Sequence, residues 1–308
     1  MSMEASLPAD ITADRPVGVI GGGRMGAAIA QIFAGAGFTV HLVEPAASVR
    51  AGLAATLATI TERRGQAADI VERIIVHEMI DGALADAAIV IEAVSEKLVL
   101  KQEIFARLDA LCPDAILATN TSVIPVGAIG RDVVRKDRVL GAHFWNPPYA
   151  VRLVEVVQAE ATSAAAVASC MALMTAIGQL PVHVRRDVPG FIGNRLQHAL
   201  KREAIALVEN GICDAETVDF VVRHSFGARL GIMGPLEQSD MVGLDLTLAI
   251  HEVVLPDLDR SAGPQALLRE RVAAGKTGAS VGEGFRVWSP QATAELRDRL
   301  DRALLKRE

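Results

Sequence analysis

Short apolar runs rich in β-branched residues recur along the first part of the chain: VGVI at 17, TVHLVE at 39, AIVIEAV at 88, AILATN at 115, RVLGAHF at 138 and VRLVEVV at 151. Segments with helical spacing separate them, and this alternation predicts a parallel sheet with crossover helices. Near residue 188 the strand pattern stops. Pro189 is placed to open a helix with apolar positions at Ile192, Leu196, Leu200, Ala204 and Leu207 and with Gly211 as its stop. Similar patterns follow around VDFVVRH, LTLAIHEVV and QALLRERV, and Ser289-Pro290 makes an N-cap and first-turn pair for a last helix. The expected fold class is α/β, a doubly wound sheet followed by an all-helical C-terminal domain. The expected division is a flexible tail at 1–14, a sheet domain at 15–188 and a helical domain at 189–308.

Composition narrows the class without changing that picture. With 308 residues, 51% of them hydrophobic and 22% charged, the chain can bury two cores. A net charge of -6 with scattered Lys and Arg lacks the footprint of a nucleic-acid or anionic-membrane partner. Cys112, Cys170 and Cys213 are few, odd in number and far apart, which suits free thiols in a reducing compartment. The opening MSMEASLPADITADRP has no apolar core and no run of about 18 apolar residues occurs, so a cytoplasmic protein without a signal peptide or membrane span is expected.

The sharpest local motif is Gly21, Gly23 and Gly26 in VGVIGGGRMGAAIAQIF. The first glycine permits a tight strand-to-helix turn, the second lets backbone approach a pyrophosphate, and the third allows close helix packing. Such a triplet alone is weak, but here it follows a strand, opens an apolar helix, and is followed 18 residues after Gly26 by Glu44 at the next strand end. An acid there binds the adenosine ribose hydroxyls and repels a 2'-phosphate, and no arginine follows before Arg50, so NAD is expected in a Rossmann-type domain.

A second constellation lies at strand ends on the same predicted edge. His143 closes one strand, NTS at 120–122 closes the one before it, and Glu155 interrupts an apolar run twelve residues past the histidine. A carboxylate on one imidazole nitrogen would fix the tautomer and leave the other nitrogen as a base. The plainer reading, a satisfied strand-end histidine and a solvent-facing glutamate, is equally open from spacing alone.

The order of motifs resembles the 3-hydroxyacyl-CoA dehydrogenase family across nearly the whole chain: the glycine fingerprint, IEAVSEKLVLKQEIF, ATNTS, GAHFWNP with VEVV, DVPGFIGNRL, GPLEQSDMVGLD and KTGASVGEGF. The resemblance implies hydride transfer between NAD and a secondary hydroxyl β to a carbonyl, and a homodimer formed through the helical domain. It implies that His143 is the general base and Glu155 its partner, with Ser122 and Asn194 around the reacting oxygen and acyl carbonyl. It places Glu96, Lys101, Ser122, Asn146 and Lys276 beside the cofactor with the glycines and Glu44. Taken alone, Lys101 and Lys276 read as solvated surface charges.

The departures concern the substrate, which is expected to be a small hydroxy acid or an acyl-CoA. Members that use CoA carry a lysine-rich hairpin after the second strand, whereas RAGLAATLATITERRGQAADIVERI contains no lysine and clusters only Arg63 and Arg64. Those two would be the candidates for CoA phosphates. SFGARLGIMGPLE is one residue longer than the usual turn, and the chain there is similar to the branch of lambda-crystallin type L-gulonate dehydrogenases and pyridine-carboxylate dehydrogenases. Within it Arg229 could clamp a free carboxylate by two hydrogen bonds, or serve only as a surface or interface residue. The crystallin kinship also leaves a NAD-binding structural or sensory protein as the alternative to an enzyme.

Overall fold

The computed structural model describes residue 11 and residues 14–305. Of the tail expected at 1–14, only Ile11 and Asp14 are among the described residues, and Ile11 is buried in the core.

In chain order the first part runs β1 (Val17–Ile20), α1 (Arg24–Gly35), β2 (Val40–Val43), α2 (Ala47–Arg63), β3 (Ile74–His77) and β4 (Ile89–Glu92). It continues with α3 (Leu98–Leu111), β5 (Ile116–Thr119), α4 (Val126–Ile129), β6 (Val139–Phe144), β7 (Leu153–Gln158), α5 (Ala164–Ala176) and β8 (Leu180–Val184). The strands form one eight-stranded sheet in the order β3-β2-β1-β4-β5-β6-β7-β8. The chain winds outward from β1 to β3, then returns to the other side of β1 at β4, which opens a crevice at the carboxyl ends of β1 and β4. The central strands are covered on both faces and largely apolar: Val17 and Val19 pack into one core with α1, α2 and α5, while Ile20 and Val90 pack into the other with α3 and α4.

Three features differ from the expectation. The strands β3 and β8 form at the two edges, where Ile75, Val76, Leu180 and Val182 stay exposed and the apolar signal is correspondingly thin. The strand β7 runs antiparallel to β6, because the eight residues between Phe144 and Leu153 are too few for a helical crossover. Finally, Pro189 does not open a helix: Gly190 and Phe191 have φ of 77° and 49°, outside the helical region, and α6 (Gly193–Glu209) starts after them.

After α6 come α7 (Ala215–His224), α8 (Phe226–Arg229), α9 (Pro235–Val242), α10 (Leu244–Val254), α11 (Ala266–Ala273) and α12 (Pro290–Leu305), the last capped by Ser289, whose Oγ accepts from the Ala292 amide. The chain divides into two compact units, one through Arg195 that takes in the chain again from Asp301, the other Leu196–Leu300. Among the described residues no helix is long and apolar enough to cross a membrane. Cys112 and Cys170 are buried among apolar side chains, which pushes their thiols up to about 11 and about 12.

Candidate active site

The glycine turn is built as its spacing requires. Gly21 has φ 103° and donates to the Val43 carbonyl, and a Cβ on Gly26 would lie 1.8 Å from the Gly21 carbonyl oxygen. A Cβ on Gly23 would meet nothing within 4 Å, so the loop is open at the one place where a pyrophosphate must approach. Glu44 is preset by two backbone amides, with Oε2 accepting from Gly22 and Oε1 from Ala46, both at 2.8 Å. With Gly21, Gly23, Val94 and Ser95 it lines a cleft of about 460 Å³, so the residues present fit a dinucleotide. Glu44→Ala is expected to weaken NAD binding more than NADP binding, and a calorimetric titration showing equal losses would remove Glu44 from the ribose site.

The antiparallel pairing of β6 and β7 sets His143 directly opposite Glu155, so the two side chains share a face. Their Nδ1 and Oε2 lie 2.8 Å apart, with the histidine 4% and the glutamate 1% exposed. The other carboxylate oxygen, Oε1, accepts from the backbone amides of Ile192 and Gly193 at 2.9 and 3.0 Å. Those amides point inward because Gly190 and Phe191 both turn through the left-handed region just before α6. Burial pushes the Glu155 carboxyl up, but the hydrogen bonds from His143, Gly193 and Ile192 outweigh it and hold the group below the usual carboxylate range. An ionised Glu155 demands a proton on Nδ1, which leaves Nε2 as the acceptor facing the Ser122 hydroxyl at 3.2 Å. The rings of Trp145 and Phe191 flank the imidazole at 5.3 and 5.6 Å and fix its plane. Asn194 Nδ2 donates to the Ser122 carbonyl, bringing the fourth expected residue to the same place.

Behind Ser122 lies a charged cluster. Lys101 is 1% exposed, against its reading as a solvated charge, and its Nζ reaches Glu92 Oε1 at 2.7 Å and Glu96 Oε2 at 3.2 Å. Glu96 Oε1 then accepts from the Ser122 and Val123 amides and from the Thr121 hydroxyl, so one carboxylate holds the loop that carries Ser122. Burial raises the Glu96 carboxyl, while the Thr121 hydrogen bond, the Lys101 charge and the other donors lower it further, to a value below normal. Glu92 and Thr119 were not singled out from the sequence, and Asn120 entered only as part of NTS. Glu92 carried the same signal as Glu155, an acid inside an apolar strand, and Asn120 ties two strand ends by accepting from the Phe144 amide.

The remaining expectations are placed unevenly. Asn146 is exposed just beyond β6 and precedes a cis proline. Arg63 is engaged with Tyr149 and Asp301, and Arg64 Nη1 donates to Gln31 Oε1 at 2.7 Å, so neither is poised for the CoA phosphates. Arg229 and Lys276 both belong to the second unit. Lys276 pairs with Glu283 at 2.7 Å, and Arg229 is exposed at the end of α8 with no ion pair among the described residues.

Comparison with known proteins gives the family of the chain. The family model for the 3-hydroxyacyl-CoA dehydrogenase NAD-binding domain matches residues 16–188, and that for the C-terminal domain of the same enzymes matches residues 190–288. The chain is 34% identical over 297 residues to the 5-formyl-3-hydroxy-2-methylpyridine 4-carboxylate 5-dehydrogenase of Mesorhizobium japonicum, covering 94% of this chain and 96% of that one. It is 38% identical over 278 residues to a probable 3-hydroxybutyryl-CoA dehydrogenase of Bacillus subtilis, covering 87% and 95%. Among solved structures, one of a 5-formyl-3-hydroxy-2-methylpyridine 4-carboxylic acid 5-dehydrogenase, described as an NAD+-dependent dismutase, superposes with a TM-score of 0.86 at 31% identity over 95% of this chain and 96% of that one. Glycine turn, amide-held Glu44 and sheet order thus occur in a chain matched almost end to end, which belongs to the 3-hydroxyacyl-CoA dehydrogenase family and is an NAD-dependent oxidoreductase acting on CH–OH groups.

Proposed function

We propose that this dehydrogenase oxidises a hydroxyl on a small free acid, with His143 as general base and Glu155 as its partner. The observation that carries the dyad is the 2.8 Å contact between Nδ1 and Oε2 in a buried pair whose other imidazole nitrogen faces Ser122. Bound NAD supplies the hydride acceptor. The chain's own groups do the rest: Nε2 takes the hydroxyl proton, Glu155 balances the imidazolium so formed, and the Ser122 hydroxyl and Asn194 amide orient the oxygen and the acyl end. Gly21, Gly23, Gly26, Glu44, Glu96 and Asn146 would hold the cofactor, while Lys101, enclosed between Glu92 and Glu96, would act only by fixing Glu96.

Two observations support a free acid over a thioester. The segment after β2 has no lysine, and its paired arginines are engaged elsewhere. The pyridine-carboxylate relative, by its name, acts on a compound with a free carboxylate. Arg229 would clamp that group. A panel of free 3-hydroxy acids and 3-hydroxyacyl-CoAs with NAD, followed by NADH absorbance, tests the reading. Arg229→Met is expected to lower kcat/KM for the free acid by about thirtyfold, the loss of one charge-assisted pair, and to leave a thioester unaffected. Efficient turnover of a short acyl-CoA, untouched by Arg229→Met, would put the thioester in its place.

The helices α7 to α12 bury no residue of their own, while Phe220, Leu236, Met241, Leu248 and Val253 are 58 to 79% exposed. Apolar surface on this scale needs a partner, and a homodimer in the cytoplasm, formed through these helices, is the assembly proposed. Light scattering is expected to give about 65 kDa, twice the chain's 32.6 kDa; a monomer at micromolar concentration would count against it.

A further inference from the structure

Arg50 is the first arginine after Glu44 in the sequence, and in the fold it lies against it. From the first turn of α2 its Nη1 donates to the carbonyls of Glu44 at 2.9 Å and Pro45 at 2.7 Å, while Nη2 donates to Glu78 Oε1 at 2.8 Å. Glu78 directly follows β3, whose last residue, His77, accepts the Glu44 amide through its carbonyl. Both Glu44 and Glu78 line the cleft that begins at Gly21 and Gly23. Among the described residues the only cation on the wall of that cleft, Arg107, donates to the Ile80 carbonyl.

Charge decides what this arrangement accepts. The ribose hydroxyls of NAD are neutral donors and are suited to a carboxylate. A 2'-phosphate brings about 1.5 to 2 negative charges and would face two carboxylates at once. The group that receives such a phosphate where NADP is used is an arginine near the end of the second strand. Arg50 stands there, but its donors are turned into two carbonyls and Glu78. The ion pair contributes little to stability, since the Glu78 side chain is 72% exposed and solvent screens such pairs. Its consequence is positional. We infer that Glu78 is a second selectivity residue for NAD over NADP, acting by holding Arg50 out of reach of a 2'-phosphate. Glu44 repels the phosphate directly, whereas Glu78 also withholds the planar fork that would bind it by two hydrogen bonds.

The test is calorimetric titration of NADH and NADPH into the wild type, Glu78→Ala and Arg50→Met/Glu78→Ala, with NADPH competed against bound NADH where it binds too weakly alone. Glu78→Ala is expected to tighten NADPH by about tenfold and to leave NADH within about threefold, the size of one freed charge contact. Adding Arg50→Met is expected to abolish the gain. Because Glu78 is exposed, its variant should melt within a few degrees of the wild type. An unchanged NADPH-to-NADH ratio in Glu78→Ala, or a gain that survives the loss of Arg50, overturns the inference.

Discussion

His143→Gln is expected to lower kcat by about two to four powers of ten while leaving the affinity for NAD unchanged, the range for losing a general base. Glutamine keeps a polar side chain near Ser122 but cannot take the substrate proton, so the loss falls on the chemical step and not on cofactor binding. Glu155→Gln is expected to act in the same direction. Its Oε2 accepts from Nδ1 and its Oε1 from the Ile192 and Gly193 amides, so a glutamine, with one oxygen and one donating NH2, loses the acceptor on one side and cannot balance an imidazolium. The double variant should lose little more than the worse single one, because the two side chains act as one device. Stopped-flow turnover and calorimetric NAD binding check both statements. Wild-type turnover in either single variant would discard the dyad.

The depressed Glu155 carboxyl adds a dependence on pH with a definite sign. Its folded value lies below the unfolded one, so the stability it contributes is complete above the ordinary glutamate range and is lost as pH falls through the lowered value. Unfolding midpoints of Glu155→Gln should therefore fall less steeply than those of the wild type once the pH drops below about 4.

What could be read in the sequence follows from how the sheet is covered. Strands buried on both faces, such as β1, β4 and β5, are apolar up to their last residue and announce themselves, with Glu92 and Thr119 as the polar ends of β4 and β5. The edge strands β3 and β8 are covered on one side only; RIIVHEM and QLPVHV mix charge, proline and apolar residues and offer no clean alternation. The glycine turn was legible because each glycine has a separate steric reason. His143 and Glu155 were legible as candidate partners, but the rung that sets them opposite each other was not, because a parallel reading of β7 gives them none. The short link between Phe144 and Leu153 held that information. Lys101 taken alone read as a solvated charge and was lifted only by the family resemblance, since nothing local marks a lysine that will be enclosed between two glutamates. Arg63 and Arg64 look free in a string and are engaged in space by Tyr149, Asp301 and Gln31, residues 30 to 240 positions away.

The enclosed lysine yields the largest expected effect on stability. Glu92 is 0% exposed and accepts from Lys101 Nζ with both oxygens, at 2.7 and 3.0 Å, as well as from the Thr119 hydroxyl and the Val94 amide at 2.7 Å. Glu92→Gln removes the charge and leaves a buried ammonium with only Glu96, whose side chain is 36% exposed. Breaking a buried pair from one side costs about 3–5 kcal/mol, mostly the desolvation of the charge left behind. Lys101→Met is expected to cost less, because the stranded carboxylate keeps the Thr119 and Val94 donors. Replacing both partners removes both buried charges, so Glu92→Gln/Lys101→Met should be more stable than Glu92→Gln alone. Urea unfolding of the four proteins measures that coupling, and losses that simply add would show the two charges to be independently solvated. Turnover should follow a different order. Lys101 also orients Glu96, and Glu96 holds the Ser122 amide, so both variants that lack Lys101 should turn over slowly even where stability recovers. A double variant that regained stability and full activity together would mean that Ser122 is positioned without this cluster.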